Sequence, residues 1–140
     1  KEKVKKYFRD YNKKLRINPY YKIKKNMSYA IWRGLKENKF GKHWECLIPY
    51  TTDELIYHLQ SKFTEGMTWE NYGRGGWHID HIIPQSFFKF NSHNHPAFKA
   101  CWALSNLQPM WESDNLSKNN RIELTEDIKD FLNSVNQPFV

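Results

Sequence analysis

The stretch that decides the fold is Trp-His-Ile-Asp-His-Ile-Ile-Pro at residues 77–84. Its three isoleucines are β-branched residues that favour extended backbone, and Pro84 ends regular pairing because it has no N–H to donate. The stretch therefore predicts a β-strand that carries chemistry, since Asp80 offers hard oxygen ligands and His81 is a base that titrates near neutral pH. A regular strand would point these neighbours to opposite faces, so we expect the strand to end or bend at His81.

Around this strand, hydrophobic periodicity predicts mostly helices. They are predicted over residues 1–17, 22–36, 96–103, 113–121 and 126–135, with another running from a capping box at Thr51 and Glu54 to Gly66. A second extended segment is predicted over residues 104–110, with Asn106 in its middle and Pro109 closing it. With 140 residues, the chain fits one compact core with appendages, and we separate a basic helical region at 1–50 from residues 51–140.

The positive charge is concentrated at the amino end. The chain carries +7, yet residues 1–25 hold eleven Lys and Arg against two acids, which gives +9 there and −2 elsewhere. This asymmetry predicts a polyanion partner, and the interleaved tyrosines favour nucleic acid over a membrane surface. Lys13, Lys14 and Arg16 are its candidate phosphate contacts. The alternative is a solvated basic helix without a partner.

Cysteine usage and the missing targeting signals indicate a compartment. Cys46 and Cys101 are the only cysteines, and no Cys-x-x-Cys pair occurs. Neither a disulfide scaffold nor structural zinc is expected, and two buried free thiols in a reducing cytosol are the simpler account. No signal peptide or membrane-spanning run is present, so we expect a cytoplasmic protein that is neither secreted nor bound to a membrane. Because the chain begins at Lys1, it is compatible with a piece of a larger protein or complex.

Two stretches of histidine and glycine have simpler explanations than a site. His93 and His95 form a His-x-His pair without a third ligand nearby, which favours a surface loop. His58 lies on the flank of a predicted helix and is expected to be structural. The Gly-rich loop at residues 67–76 lacks the Lys-Ser/Thr ending and the preceding strand of a phosphate-binding loop, so it is interpreted as a flexible lead-in in which Arg74 is a candidate phosphate contact.

The downstream pieces complete a three-part motif. The matching letters are Asp-His-Ile-Ile-Pro at 80–84, Asn-Leu-Gln-Pro at 106–109 and Asp-Asn-Leu-Ser-Lys at 114–118. Together they resemble the HNH nuclease family, in the form common in phages and mobile elements, and also the HNH domain of RNA-guided CRISPR nucleases. The resemblance spans roughly residues 67–121, and it implies that the cell is a bacterium or a phage-infected cell. It also implies an α+β fold with a ββα-metal (His-Me finger) core of a two-stranded antiparallel hairpin and a helix, wrapped by N-terminal and C-terminal helices. Residues 51–140 would then be the nuclease domain, with its last helix at 125–136.

The resemblance also implies roles for single residues. His81 would be the general base that activates water for attack on phosphorus, and Asp80 and Asn115 would hold one Mg²⁺, for which Mn²⁺ can substitute. Asn106 would brace the hairpin and orient the His81 ring. Three roles remain open for His78, which could be a third metal ligand, a phosphate contact or a brace.

The implied activity is hydrolysis of DNA, expected to be double-stranded, by nicking or cutting. Lys118 and Arg121 would contact phosphate at the start of the last motif helix and one turn on. Many family members have histidine where this chain has Asn115, and an oxygen ligand there favours Mg²⁺ or Mn²⁺ over Zn²⁺. The alternatives are an HNH-derived module that binds nucleic acid without cutting it, and a related RNase.

Overall fold

The computed structural model describes residues 1–36, 41–118 and 121–138, except for the side chains of Asn12 and residues 14–17. Within these ranges the chain is α+β. Its elements are α1 (Glu2–Ile17), α2 (Pro19–Gly34), α3 (Thr52–Ser61), β1 (Trp77–His81), α4 (Pro96–Cys101), β2 (Leu107–Trp111), α5 (Glu112–Lys118) and α6 (Glu126–Val135). None of the described helices is long and apolar enough to cross a bilayer.

The two strands form an antiparallel sheet in which Asp80 lies opposite Gln108 and His81 opposite Leu107. The 25 residues between the strands include α4, so the pairing is not a tight hairpin. Pro109 lies inside β2 instead of closing it, as a two-stranded sheet allows because both of its strands are edges. β1 ends at His81, as predicted.

Aromatic packing fixes the start of β1. The Trp77 ring is fully buried, stacks on Tyr72 at 4.5 Å and meets Phe63 and Trp69 edge-on at 5.0 and 5.2 Å. Its Nε1 donates to the carbonyl of Thr68 at 2.6 Å. The preceding loop is a tight turn, and a Cβ at Gly76 would lie only 1.6 Å from a backbone oxygen, so only glycine fits there.

One core lies behind the sheet. Its largest fully buried side chains, besides Trp77, are Trp44, Trp102, Phe98, Ile23, Met27, Ile31, Leu55, Leu59 and Leu107. Pro19 begins α2 at the position where proline is favoured, and the helix contributes three of these residues at helical spacing. Residues 19–35 therefore share their core with the rest of the chain, and the boundary at residue 50 stays a sequence prediction.

Several helices begin or end at residues that differ from the predicted ones. The capping box of Thr51 and Glu54 is confirmed, but α3 ends at Ser61, before Gly66. The helix predicted at 113–121 begins one residue earlier, at Glu112, because β2 runs directly into it, and its described part extends to Lys118. Residues 119 and 120 lie outside the described chain.

Two burial predictions are wrong. Cys46 is exposed, since its short 3-10 turn buries Trp44 instead. His95 is the last residue of the loop before α4, as predicted, but its side chain is buried and not on the surface, and its Nδ1 accepts the Ala97 N–H at 3.0 Å to cap α4.

Candidate active site

A cleft of about 440 Å³ lies where β1 meets α5. Its lining residues are His78, Ile79, Asp80, His81, Pro84, Gln85, Glu112, Asn115, Leu116 and Lys118. The structure therefore brings together five of the predicted site residues. Asn106 lies behind the cleft, and Arg74, Arg121 and Lys13 are exposed outside its lining. The side chains of Lys14 and Arg16 are outside the described part of the chain.

Asp80 is the buried carboxylate of the cleft, with 7% of its surface exposed. Its Oδ2 accepts hydrogen bonds from Lys118 Nζ at 2.8 Å and Gln108 Nε2 at 2.9 Å. Its Oδ1 accepts none from the described residues. A buried carboxylate needs such partners, because an unpaired charge is costly to remove from water. One oxygen of Asp80 is thus already paired, and the other is left for a ligand.

Lys118 lies at the end of α5 and not at its start. Besides Asp80, its ammonium contacts the backbone carbonyl of His81. The side chain is 15% exposed, so the ion pair is shielded from bulk water. In this geometry the ammonium holds the carboxylate and the end of β1 together, whereas the sequence predicted it as a phosphate contact.

The His81 ring is held edge-on against Trp102, with ring centroids 4.5 Å apart. Its Nε2 is buried and has no hydrogen-bond partner among the described residues. Burial lowers the pKa of His81 from 6.5 to about 4, with the charge of Asp80 opposing this shift and that of Lys118 adding to it. The ring is therefore neutral at pH 7 and able to accept a proton.

Asn106 braces the turn that follows β1. Its Oδ1 accepts the Ile83 N–H at 2.8 Å, and its Nδ2 donates to the carbonyls of Ile83 at 3.1 Å and Cys101 at 3.0 Å. Its own carbonyl accepts the Ile82 N–H at 2.8 Å. These bonds tie the chain just after His81 to the chain just before β2. Asn106 makes no hydrogen bond to the His81 ring, so any orienting effect passes through the backbone.

Glu112 and Gln108 contact the predicted site residues, although the sequence analysis did not predict either of them as part of the site. Glu112 Oε1 lies 3.4 Å from His78 Nε2, and its Oε2 accepts the Gly75 N–H at 2.9 Å. Of the three roles left open for His78, this geometry fits a brace between β1 and α5. Gln108 would have been found from the strand register, since it lies directly opposite Asp80.

The side chains in the cleft that could hold a metal ion are few, and they would bind it through oxygen atoms. The described residues contain no group of three or more His, Cys, Asp and Glu side chains that could hold an ion. Asp80 and Asn115 line the same cleft, and the Asn115 side chain makes no hydrogen bond to the described chain. A carboxylate and an amide oxygen completed by water suit Mg²⁺, which keeps several of its waters.

Comparison with known proteins gives little functional information. No family model matches the chain, and no solved structure matches it. It is similar to an uncharacterized protein of Acanthamoeba polyphaga mimivirus, with 27% identity over 109 residues that make up 78% of this chain and 46% of the viral protein. The chain thus spans about half the length of the curated relative it matches.

Proposed function

We propose that the chain is a metal-dependent HNH endonuclease that hydrolyses phosphodiester bonds of DNA. The proposal makes β1, β2 and α5 its ββα-metal core. The observation that carries it is the meeting of Asp80, His81 and Asn115 in one cleft, although they come from two elements 30 residues apart. A module that only bound nucleic acid would gain little from a carboxylate beside phosphate.

The donor set fits a divalent ion of the magnesium type. Asp80 and Asn115 would hold it, and Gln108 would fix the carboxylate by its hydrogen bond to Oδ2. When bound, the ion would supply positive charge that neutralises the scissile phosphate and the leaving 3′ oxygen. Mn²⁺ meets the same oxygen preference.

His81 is the proposed general base. Because its Nε2 is buried, Nδ1 is the nitrogen that would take a proton from an attacking water in the cleft. A pKa of about 4 makes the free ring a weak base. A phosphodiester anion bound in the cleft would raise this pKa, because a nearby negative charge favours the imidazolium. The products would be a 5′-phosphate and a 3′-hydroxyl.

The proposed partner is double-stranded DNA, bound partly through the basic amino end. Residues 1–17 carry eight Lys and Arg against two acids, and those described on α1 are exposed. Such an arm gives affinity for phosphate that does not depend on base sequence. Arg74 and Arg121, both exposed, are proposed to add contacts nearer the cleft.

Conversion of supercoiled plasmid to nicked and linear forms tests this proposal. We expect cleavage with Mg²⁺ or Mn²⁺ and none with EDTA, and the products should be substrates for ligase because of their end chemistry. A labelled RNA of the same sequence, run in parallel, should stay intact. If supercoiled, linear and single-stranded DNA all survive both metals, the chain is not a DNase. If only the RNA is cut, the related RNase is correct.

A further inference from the structure

Two further clefts lie in the neighbourhood of the candidate active cleft. The first, the side cleft, is about 500 Å³ and lies between α2 and β1, and it shares His78, Ile79 and His81 with the active cleft. The second, the helix groove, is about 590 Å³ and shares Tyr29 with the side cleft. The three clefts are therefore neighbours, in the order helix groove, side cleft and active cleft.

The helix groove lies on one face of α2. Its lining residues are Tyr21, Lys24, Lys25, Ser28, Tyr29 and Trp32. Their spacing of three and four residues puts them opposite the buried face of the same helix. From the first to the last, the face is about 16 Å long at about 1.5 Å per residue. That is enough for several stacked nucleotides at about 3.4 Å each.

The groove is aromatic and basic. Tyr29 is 59% exposed, with the ring of Trp32 6.0 Å away and the guanidinium of Arg33 5.9 Å from its centroid. α2 carries four basic residues and no acidic one, and none of the described residues lining either cleft is acidic. Lys24 is already paired with Glu45 at 3.4 Å. Positive charge for a ligand therefore comes from the other basic residues of this surface.

Arg74 is held beside the side cleft by contacts between its loop and α2. Lys22 Nζ donates to the carbonyl of Tyr72 at 2.7 Å, and Asn26 Nδ2 donates to the Tyr72 hydroxyl at 2.6 Å. These bonds fasten the Gly-rich loop to α2. Arg74, which lines the side cleft, is therefore positioned to contact a strand that passes from Tyr29 to His81.

From this succession of neighbouring clefts and the aromatic, basic lining of the helix groove, we propose that α2 binds an unpaired strand of nucleic acid and leads it to the active cleft, with Tyr29 stacking on a base. The inference rests on the proposed nuclease function for the chemistry of its ligand. Exposed rings beside cations suit unpaired bases, whose faces are free to stack, whereas bases in a duplex are read along their edges. A membrane surface fits poorly, because the groove has no aliphatic side chain.

The test measures binding without cleavage. Fluorescence anisotropy of the full chain in EDTA would compare a blunt duplex with the same duplex carrying an unpaired tail. We expect the wild type to prefer the tailed duplex, and Tyr29→Ala to lower affinity for it by roughly fivefold to a hundredfold. The blunt duplex should bind both proteins equally. Tyr29→Phe keeps the ring and should keep the preference, and Tyr57→Ala, which removes a tyrosine 80% exposed on α3, is the matched control.

Three results would overturn the proposal: no preference for the tail in the wild type, an equal loss on both DNAs in Tyr29→Ala, or the same loss in Tyr57→Ala. The result is separable from that of the plasmid assay. A wild type that cuts plasmid but ignores tails refutes only the role of α2, and one that prefers tails through Tyr29 but cuts nothing refutes only the nuclease function.

Discussion

The ammonium of Lys118 lies 2.8 Å from Oδ2 of Asp80, at the bottom of the cleft proposed to hold a metal ion. A cation of the chain itself thus neutralises the carboxylate. Exposed ion pairs contribute little to the free energy of unfolding, so the effect of this pair on stability depends on its burial. A divalent ion would share Asp80 with Lys118 or displace it from Oδ2.

Replacing Lys118 should destabilise the metal-free protein and make it more dependent on metal. Lys118→Ala leaves a buried carboxylate with only Gln108 as partner, which should cost roughly 1–3 kcal/mol of unfolding free energy. Added Mg²⁺ should restore more stability to the variant than to the wild type, because the ion replaces the lost positive charge. Urea denaturation with EDTA and with Mg²⁺ measures both effects.

The control variant is Lys129→Ala. In the wild type, the Lys129 ammonium pairs with Glu126 at 3.3 Å on the exposed face of α6. The variant should lose less than about 0.5 kcal/mol of unfolding free energy, and this loss should not depend on Mg²⁺. If the two variants behave alike, the Lys118 pair has no special role.

Asn106→Ala should destabilise the fold before it affects metal binding. The substitution removes three side-chain hydrogen bonds, including the one that the buried carbonyl of Cys101 accepts. This should lower the free energy of unfolding by roughly 1–3 kcal/mol. Thermal unfolding should show a lower Tm, while Mn²⁺ affinity of the folded variant stays near the wild-type value. Asn133→Ala, an exposed position on α6, should be close to neutral. A variant with wild-type Tm would show that Asn106 is not the brace.

His81 should make the metal-free protein less stable in acid. Its pKa is about 4 when folded and 6.5 as the reference for the unfolded chain, so between these values the unfolded state binds more protons. The free energy of unfolding should therefore fall as the pH drops from about 6.5 to 4, by at most roughly 3–4 kcal/mol from this residue. Denaturation in EDTA across this range should show a shallower pH dependence for His81→Leu. Parallel curves would mean that the ring titrates normally.

Removing residues 1–17 should weaken DNA binding and flatten its salt dependence. The deletion ends before α2, since Ile23 belongs to the core. Each phosphate that the arm neutralises contributes about 0.9 to the slope of log affinity against log salt, and its loss removes that much. Binding measured between low and physiological salt gives the two slopes. An unchanged slope would mean that the arm does not contact phosphate.

Local patterns predicted the parts of this fold that depend on local sequence. β-branched residues and Pro84 predicted a strand that ends at His81, and a capping box predicted the start of α3. The motif letters of the resemblance also predicted which side chains would meet, since Asp80, Asn115 and Lys118 line one cleft.

The residues that were missed depend on long-range geometry. Gln108 contacts Asp80 through the strand register, and Glu112 reaches His78 only because β2 runs straight into α5. The burial of His95 and the exposure of Cys46 were mispredicted for the same reason, because each depends on what packs against a short turn. Periodicity within one element does not contain this information.

The most direct test of the proposed chemistry compares His81→Ala with the wild type in single-turnover cleavage of supercoiled plasmid in Mg²⁺. Loss of a general base should slow the cleavage step by roughly 10²- to 10⁴-fold, while binding of the same DNA in EDTA is unchanged. His43→Ala, an exposed histidine outside the cleft, should cut at the wild-type rate. A His81→Ala protein that cuts as fast as the wild type would contradict the assignment of this cleft as the active site.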